Sequence, residues 1–283
     1  MQNNFVYYNH SYILECPEIP LEGKMQFRDI QKKYVLENWG GGYSVFASYI
    51  THFDCMEETQ WWFTIKDTEY DLADLPAKKR YEVTKAHKFC YSEKINPVEH
   101  IDSLFECYKQ SFEGYAEVER PRSVERESFV NYIHELAKDG KHQFYACHFK
   151  EDDRLIGFLI IERRGKFIGL KQQKTIPAYE KYNCNASLID CMLTEWNEKL
   201  KNHEVIVSNG SRNIRHQTNF NAYLEKYFGF RKAYAKLKIV YRFPFGIVVF
   251  LLKPFMKLFE KTGNPFLYNI YCVLKMDSCS YRN

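Results

Sequence analysis

The sequence predicts a mixed α/β (α+β) protein in which helices flank a mixed β-sheet. From Lys88 onward, strand-like and helix-like segments alternate in the order β-α-α-β-β-β-α-β-α-β, and this alternation is typical of a sheet with helices on its faces. The clearest helix carries Leu188, Met192 and Trp196 on one face at near-3.6 spacing. Aromatic residues make up 17% of the 283 residues, so large side chains for a core are plentiful.

Each predicted element follows from its own pattern and from the turns beside it. Two N-terminal segments, 43–50 and 61–65, are aromatic and β-branched, which favours strands. Asn96-Pro97 precedes one helical pattern and Gly140 follows another, and both are typical of helix boundaries. The predicted helices are 71–87, 98–112, 124–138, 188–200 and 219–227, and the remaining predicted strands are 89–95, 143–149, 155–162, 166–176, 204–207 and 234–241.

Composition excludes several classes of protein. The 40 Lys and Arg residues nearly balance 36 Asp and Glu residues, so the net charge of +4 does not indicate a DNA partner. The nine cysteines include no C-x-x-C pair, which argues against a metal site and against a disulfide framework. The segment from Met1 to Pro20 lacks the basic and apolar regions of a signal peptide, and no apolar run is long enough to span a bilayer. These features predict a reduced, cytoplasmic protein.

Changes in composition divide the chain into three predicted regions. They are an N-terminal lobe at 1–87 that ends in a basic helix, an α/β domain at 88–242, and a C-terminal tail at 243–283. The tail opens with a ten-residue apolar run that is followed by three lysines, and Pro254 is expected to kink or split any helix there. The tail is therefore either a helix packed on the protein or an amphipathic anchor that lies on the inner membrane surface.

Residues 177–189, PAYEKYNCNASLI, resemble the acyl-CoA loop of the GNAT acyltransferases. Pro177 and Leu188 have the spacing of that family's strand end and helix start, but Glu180 stands where the family has Arg or Gln, and Asn183 and Asn185 stand where it has glycines. Asn tolerates a positive φ better than most residues, so we expect the backbone turn to persist. The resemblance implies an acyl-CoA site in which amides at a helix N-terminus face the pyrophosphate. Its residues here are Ile176, Asn183, Asn185 and Ala186.

Two further segments extend this resemblance. Residues 219–230, NFNAYLEKYFGF, look like the family's helix that ends in a Gly-Phe turn, and Gly229 suits the position after a helix end. The tyrosine that the family uses there as general acid falls on Glu225, so that role is not transferred. The segments WWFTI at 61–65 and KRYEVTKAHK at 79–88 are similar to the FemAB-like transferases, which pair two GNAT-like lobes. Some of those proteins take amino acids from aminoacyl-tRNA, and the resemblance implies a truncated GNAT-like lobe at the N-terminus here.

The resemblance also places a cleft where two central strands separate, here 166–176 and 204–208. Arg212, Arg215 and His216 follow the second strand and suit a carboxylate or phosphate, the alternative being a solvated loop. We expect the acceptor to contact five residues, Lys171, Gln173, Arg212, Arg215 and Asn219.

Acyl transfer to an amine also needs a base that deprotonates the ammonium group. Glu162 and His216 are the candidates, because both titratable groups fall near the predicted cleft. The alternatives are a Glu162 carboxylate paired with Arg163 or Arg164 and a solvated histidine in the loop.

The sequence thus predicts an N-acyltransferase that moves an acyl or aminoacyl group to an amine of a small molecule, a sugar or a cell-envelope precursor. The donor is acyl-CoA or aminoacyl-tRNA, and tRNA is a partner only in the second case. The tail predicts peripheral contact with the inner membrane surface. The alternatives are a non-catalytic GNAT-fold binding protein and a membrane-surface adaptor.

Overall fold

The computed structural model describes residues 5–8, 10–33, 43–115, 120–121, 123–215 and 219–281. The chain forms two compact units, and neither is continuous in sequence. Unit 1 combines 1–65, 210–222 and 231–283, and unit 2 combines 66–209 and 223–230. The predicted regions 1–87, 88–242 and 243–283 divide the chain at other places and stay a prediction.

Unit 1 contains a mixed sheet in which an N-terminal segment pairs with a C-terminal strand. The long strand β10 (Arg231–Tyr241) lies between β3 (Phe46–Phe53) and β4 (Trp62–Lys66) and runs antiparallel to both. Beyond β3 lie β2 (Ser11–Leu14), parallel to β3, and β1 (Phe5–Tyr8), antiparallel to β2. The C-terminal half of the chain thus completes the sheet that the N-terminal strands begin.

The other described strands follow in the order β9 (Ile206–Ser211), β8 (Phe167–Thr175), β7 (Arg154–Arg164), β6 (His142–Phe149) and β5 (Cys90–Ile95). They belong to unit 2, apart from the last two residues of β9. The pairs β5–β6, β6–β7 and β7–β8 are antiparallel, whereas β8 and β9 are parallel. Residues 155–161 of β7 are all buried, which explains their continuous apolar run.

Helices cover both faces of the sheet in unit 2. Phe158 and Ile160 of β7 belong to an apolar cluster with the first two long helices after β5. Gly157 faces the other way, and a Cβ added there would lie 3.3 Å from a methyl carbon of Leu188. The α-helices among the described residues are α1 (Phe27–Lys33), α2 (Ala77–Phe89), α3 (Ile101–Ser111), α4 (Arg126–Lys138), α5 (Cys184–Lys201), α6 (Phe220–Phe228), α7 (Phe245–Leu252), α8 (Met256–Glu260) and α9 (Pro265–Ser278).

These elements confirm the predicted mixed α/β fold class and the order of strands and helices after residue 88. Gly229 follows the last residue of α6 with a φ of 67°, as predicted for a position after a helix end. Pro254 lies in a short 3-10 turn, Lys253–Phe255, which separates α7 from α8, so the predicted break in the tail is also confirmed.

Three predicted helix starts were wrong. The helix predicted at 71–87 begins only at Ala77, because a 3-10 turn and Pro76 come first. The helix predicted from residue 98 begins at Ile101, because the Asn96 side chain accepts a hydrogen bond from the Val98 amide and holds a turn there. The helix predicted from residue 188 begins four residues earlier, at Cys184.

The N-terminal end of α2 packs through a buried lysine. Lys79 belongs to the basic helix predicted at the end of the N-terminal lobe, and it is only 1% exposed. Its ammonium group is paired with Glu82 and lies 4.3 Å and 4.2 Å from the ring centroids of Tyr223 and Tyr227 in α6. A buried ammonium needs such partners, since an uncompensated charge in the interior is costly.

We predict that Lys79→Ala lowers the free energy of unfolding by about 3 kcal/mol, because it leaves Glu82 without its partner and opens a gap against the two rings. Urea denaturation measures the change. The control is Lys78→Ala, since Lys78 is exposed on the same turn and should shift the stability by less than about 0.5 kcal/mol. Equal effects of the two substitutions would contradict this role of Lys79.

Candidate functional site

The candidate site begins where β8 and β9 separate. These parallel strands pair at Phe167–Ile206, Ile168–Val207 and Gly169–Ser208, and the pairing then stops. β8 continues to Thr175, bonded on its other side to β7 throughout. Within the described part of the chain, no other strand pairs with this edge of β8. The separation lies where the sequence predicted the cleft.

A β-bulge follows directly in β8. Ile161 pairs with Leu170 and Ile160 pairs with Gln172, so Lys171 is the extra residue. Bulges re-aim side chains and increase the local twist. The Lys171 ammonium lies 3.5 Å from Glu162 Oε2, and that carboxylate lies 3.8 Å from His142 Nε2. The structure therefore brings together Glu162, the predicted base, and Lys171, which was predicted to contact the acceptor substrate. The two side chains form an ion pair.

Two glutamines after the bulge present unsatisfied oxygens. The side-chain amide of Gln173 donates to Asn185 Oδ1 at 2.7 Å, which joins β8 to the first turn of α5. The carboxamide oxygens of Gln172 and Gln173 are both buried without a hydrogen-bond partner among the described residues. A buried acceptor without a donor costs about 1–3 kcal/mol. Each oxygen is thus suited to accept a hydrogen bond from a ligand, and the two side chains face opposite sides of the sheet.

The turn between β8 and α5 keeps a positive φ at the predicted asparagine. Asn183 has φ 59° and ψ 36°, in the left-handed region, and α5 begins at the next residue. The Asn183 amide donates to the Glu180 carbonyl oxygen, and the Ala186 amide donates to the Asn183 carbonyl oxygen. Both amides are therefore used within the chain. The predicted acyl-CoA contacts at Asn183, Asn185, Ala186 and Ile176 stay predictions, and the side chains of Ile176 and Ala186 are buried.

Aromatic rings fill the neighbourhood of this turn. Tyr182 lies 5.0 Å from Phe149 and 5.1 Å from Phe89 between ring centroids, and Tyr179 lies 5.3 Å from Phe149. Glu180 is exposed beside them. The turn carries one acidic and one basic residue, Glu180 and Lys181, and its Asn183 and Ala186 amides are engaged within the chain, so these two amides are not available to a pyrophosphate group.

Asp190 of α5 is bound by Tyr70 and by His87, which lies near the end of α2. The Tyr70 hydroxyl donates to Asp190 Oδ1 at 2.6 Å, and His87 Nε2 lies 3.0 Å from Asp190 Oδ2. The hydrogen bond with Asp190 raises the pKa of the His87 imidazole above its usual range. Cys184, at the start of α5, is fully buried, and burial raises the pKa of its thiol to about 12. This thiol is therefore neutral and unsuited to act as a nucleophile near pH 7.

The other predicted residues belong to unit 1 or lie outside the described residues. The Arg212 guanidinium lies 4.6 Å from the Trp62 ring centroid and donates to the Gln60 carbonyl oxygen at 2.9 Å. Arg215 and Asn219 are exposed. His216, the second candidate base, lies outside the described residues, so its role stays a prediction.

Sequence reasoning missed one cluster in unit 2. The Lys174 ammonium donates to the Tyr115 hydroxyl at 2.8 Å and lies 4.4 Å from the ring centroid of Phe112. Lys174 also lies 5.9 Å from the Tyr108 ring centroid. The only sequence signal was the run of aromatic residues at the end of α3, and it did not reveal which strand residue those rings contact.

No group of three or more potential metal-ligating His, Cys, Asp or Glu side chains occurs within the described residues. No helix among them is both long and apolar enough to cross a membrane.

The left-handed conformation of Asn183 makes a testable prediction. Asn183→Ala should lower the free energy of unfolding by about 1 kcal/mol, whereas Asn183→Gly should not, because only glycine adopts this conformation without steric cost. Chemical denaturation of both variants measures the difference. Asn202→Ala at the other end of α5, where φ is −84°, is the control and should have little effect. Equal loss in the alanine and glycine variants would contradict the prediction.

Comparison with known proteins gives structural likenesses only. No protein-family model matches the chain, and no curated protein sequence matches it. Among solved structures, it is similar to FemX, with 10% identity over 76% of this chain and 68% of that chain and a TM-score of 0.48. It is similar to L-PGS from Bacillus licheniformis, with 14% identity over 86% and 82% of the two chains and a TM-score of 0.47. A C-terminal DUF2156 domain from Agrobacterium fabrum gives 8% identity over 87% and 82% and a TM-score of 0.49. At such identities the likeness concerns the fold alone.

Proposed function

We propose that this protein transfers an acyl or aminoacyl group to an amine. The observation that carries the proposal is the free edge of β8 after Gly169, where pairing with β9 stops. The hydrogen-bonding groups of a donor can bind such an edge as those of an added strand would. The unsatisfied carboxamide oxygen of Gln173 supplies a further acceptor for an N–H group of the donor, such as the amine of an aminoacyl group.

Glu162 and Lys171 supply the charges for the reaction in this proposal. Glu162 is the base that takes a proton from the acceptor amine, directly or through a water molecule. The amine nitrogen bonds to the acyl carbon, the bond from that carbon to the donor's oxygen or sulfur breaks, and the proton held by Glu162 passes to that leaving atom. The Lys171 ammonium group lies 3.5 Å from Glu162 and stabilises negative charge on the acyl oxygen during attack. Lys171 is exposed, so an acceptor can approach this pair from solvent.

The turn before α5 bears on the choice of donor. Its Asn183 and Ala186 amides are engaged, and Tyr179 and Tyr182 pack where a pyrophosphate would approach. This favours a donor that presents no pyrophosphate there, as aminoacyl-tRNA does, over acyl-CoA. The acceptor in this proposal is an amine of a small molecule, a sugar or a cell-envelope precursor.

The same turn also supports a second candidate, a GNAT-fold binding protein without catalytic activity. In a protein that had lost catalysis, we would expect the sheet to persist while side chains such as Tyr179 and Tyr182 occupied the place of the donor. The two candidates differ in whether a donor binds at the free edge of β8 and is consumed there.

Ligand-induced stabilisation tests the proposal. Acetyl-CoA, a long-chain acyl-CoA, free CoA, charged tRNA and uncharged tRNA are each added to the full chain, and the melting temperature is followed. A ligand present at 100 times its Kd adds about 2.7 kcal/mol of stability, which gives a clear shift. We expect charged tRNA to stabilise the protein more than uncharged tRNA. We also expect its aminoacyl ester to be lost faster when primary amines are added.

The matched variants are Gln173→Ala and Gln31→Ala, the second at an exposed position of α1. Gln173→Ala should weaken donor binding about tenfold, because one hydrogen bond in a partly buried site is lost, and Gln31→Ala should not. Stabilisation by acyl-CoA but not by tRNA would reverse the choice of donor. No stabilisation by any of these molecules, with no ester consumed, would contradict the transferase and favour the binding protein.

A further inference from the structure

The C-terminal tail of unit 1 presents an exposed apolar surface. Between Phe243 and Phe266, eight large apolar side chains are from 43% to 80% exposed. Such concentrations are uncommon on monomeric proteins and mark contact sites. We call this surface the tail patch, and its residues are Phe243, Ile247, Val248, Phe250, Leu251, Phe255, Leu258 and Phe266.

Helix α7 is apolar on its exposed face as well as on its buried face. Its sequence, FGIVVFLL, contains no polar residue. Phe245, Val249 and Leu252 recur at helical spacing and are half-buried, whereas Ile247, Phe250 and Leu251 are exposed. A helix on a protein surface normally carries polar residues on its outer face. The outer face of α7 is as apolar as its inner face, so both faces are suited to apolar surroundings.

The tail patch is held in place on unit 1. Lys253, directly after α7, donates to Asp277 Oδ2 at 2.6 Å, and Tyr241 at the end of β10 donates to Asp277 Oδ1 at 3.0 Å. Asp277 is buried in α9, together with Tyr271 and Leu274. These contacts fix α7 against β10 and α9. The patch is therefore a surface already formed in the folded unit.

The charged residues around the tail patch favour an anionic partner. Lys257 and Lys261 are exposed within the same segment. Glu260 is the one acidic residue in 243–266, and it accepts a hydrogen bond from the Tyr271 hydroxyl at 2.9 Å. Apolar side chains bordered by lysines match a bilayer surface, where acyl chains lie beneath anionic phosphates. A second copy of this chain would instead bring lysines against lysines.

We infer that the tail patch binds the surface of a membrane that contains anionic lipids, with α7 and α8 lying in the plane of the headgroups. The apolar side chains enter the boundary between headgroups and acyl chains, and Lys257 and Lys261 contact lipid phosphates. Binding at this surface does not depend on transferase activity, so the inference goes beyond the proposed function and stands apart from it.

Vesicle flotation tests the inference with the full chain. One set of vesicles is pure phosphatidylcholine, and the other is phosphatidylcholine mixed with the anionic lipid phosphatidylglycerol. We expect binding to the mixed vesicles that is at least tenfold tighter than to the neutral ones and weaker in high salt, because screening reduces attraction to phosphates. Absence of binding to both kinds of vesicle would overturn the inference, as would equal binding to both.

Two triple variants separate the patch from general surface hydrophobicity. Phe250→Ser, Leu251→Ser and Leu258→Ser together should lower vesicle binding at least tenfold. Tyr8→Ser, Met56→Ser and Tyr81→Ser together remove equally exposed side chains elsewhere and should leave binding unchanged. Circular dichroism and the melting temperature confirm that both variants fold. Equal loss in the two variants would overturn the assignment to the tail patch.

A charge variant and a mass measurement complete the test. Lys257→Glu with Lys261→Glu should abolish the preference for anionic vesicles, and an unchanged preference would overturn the role of these lysines. Light scattering without lipid identifies the alternative occupant. A native dimer that is lost in the Phe250, Leu251 and Leu258 triple variant, together with no lipid binding by the native chain, is the contrary result. It would show that a second copy covers the patch.

Discussion

The short parallel pairing between β8 and β9 is the constraint on which the candidate site depends. Three residue pairs join the two strands, and the pairing ends at Gly169–Ser208. Every backbone amide and carbonyl group of a buried strand needs a hydrogen-bond partner. Beyond Gly169, no strand of the described residues pairs with this edge of β8, so its backbone groups are open to water or to a ligand. The bulge at Lys171 begins at this point and adds twist where β8 leaves its neighbour.

The position of α5 controls what can occupy that edge. Asn185 in its first turn accepts a hydrogen bond from Gln173 of β8, and Asp190 one and a half turns later joins Tyr70 and His87. The left-handed Asn183 sets where the helix begins. Tyr182 packs on Phe149 and Phe89 directly before this helix start, so aromatic rings lie beside the turn that leads into α5.

Local sequence patterns predicted most of the strands and helices of unit 2. They did not predict which segments far apart in the sequence contact each other. The strands that became β6, β7 and β8, the Gly229 turn and the break at Pro254 all follow from short-range signals, namely alternation, turn residues and proline chemistry. The pairing of β10 with β3 and β4 joins segments from opposite ends of the sequence, and periodicity carries no information about such partners. The helix starts at 77 and 184 were missed because cap geometry depends on neighbours.

The candidate residues show the same difference between what local patterns predict and what depends on long-range contacts. Lys171, Glu162, Gln173 and Asn185 were each named separately from the sequence. The contacts Lys171–Glu162 and Gln173–Asn185 emerge only from the bulge and from the helix start. Lys79 lies in the predicted basic helix and is buried, and charge alone does not reveal that Glu82 and two tyrosines surround it. Lys174 and its aromatic neighbours gave no recognisable motif, since they come from a strand and from the end of a helix far away in the sequence.

Residue-resolved amide hydrogen exchange of the native chain tests the free edge of β8 most directly. Residues 155–161 of β7 lie between two paired strands, so their amides should exchange slowly. About half of the amides of residues 170–175, those that point away from β7, should exchange orders of magnitude faster. Amides 167–169, where β9 is still paired, should be as slow as those of β7. Slow exchange at every position of 170–175 would show that this edge is already paired, and it would contradict a ligand-binding edge at the centre of the site.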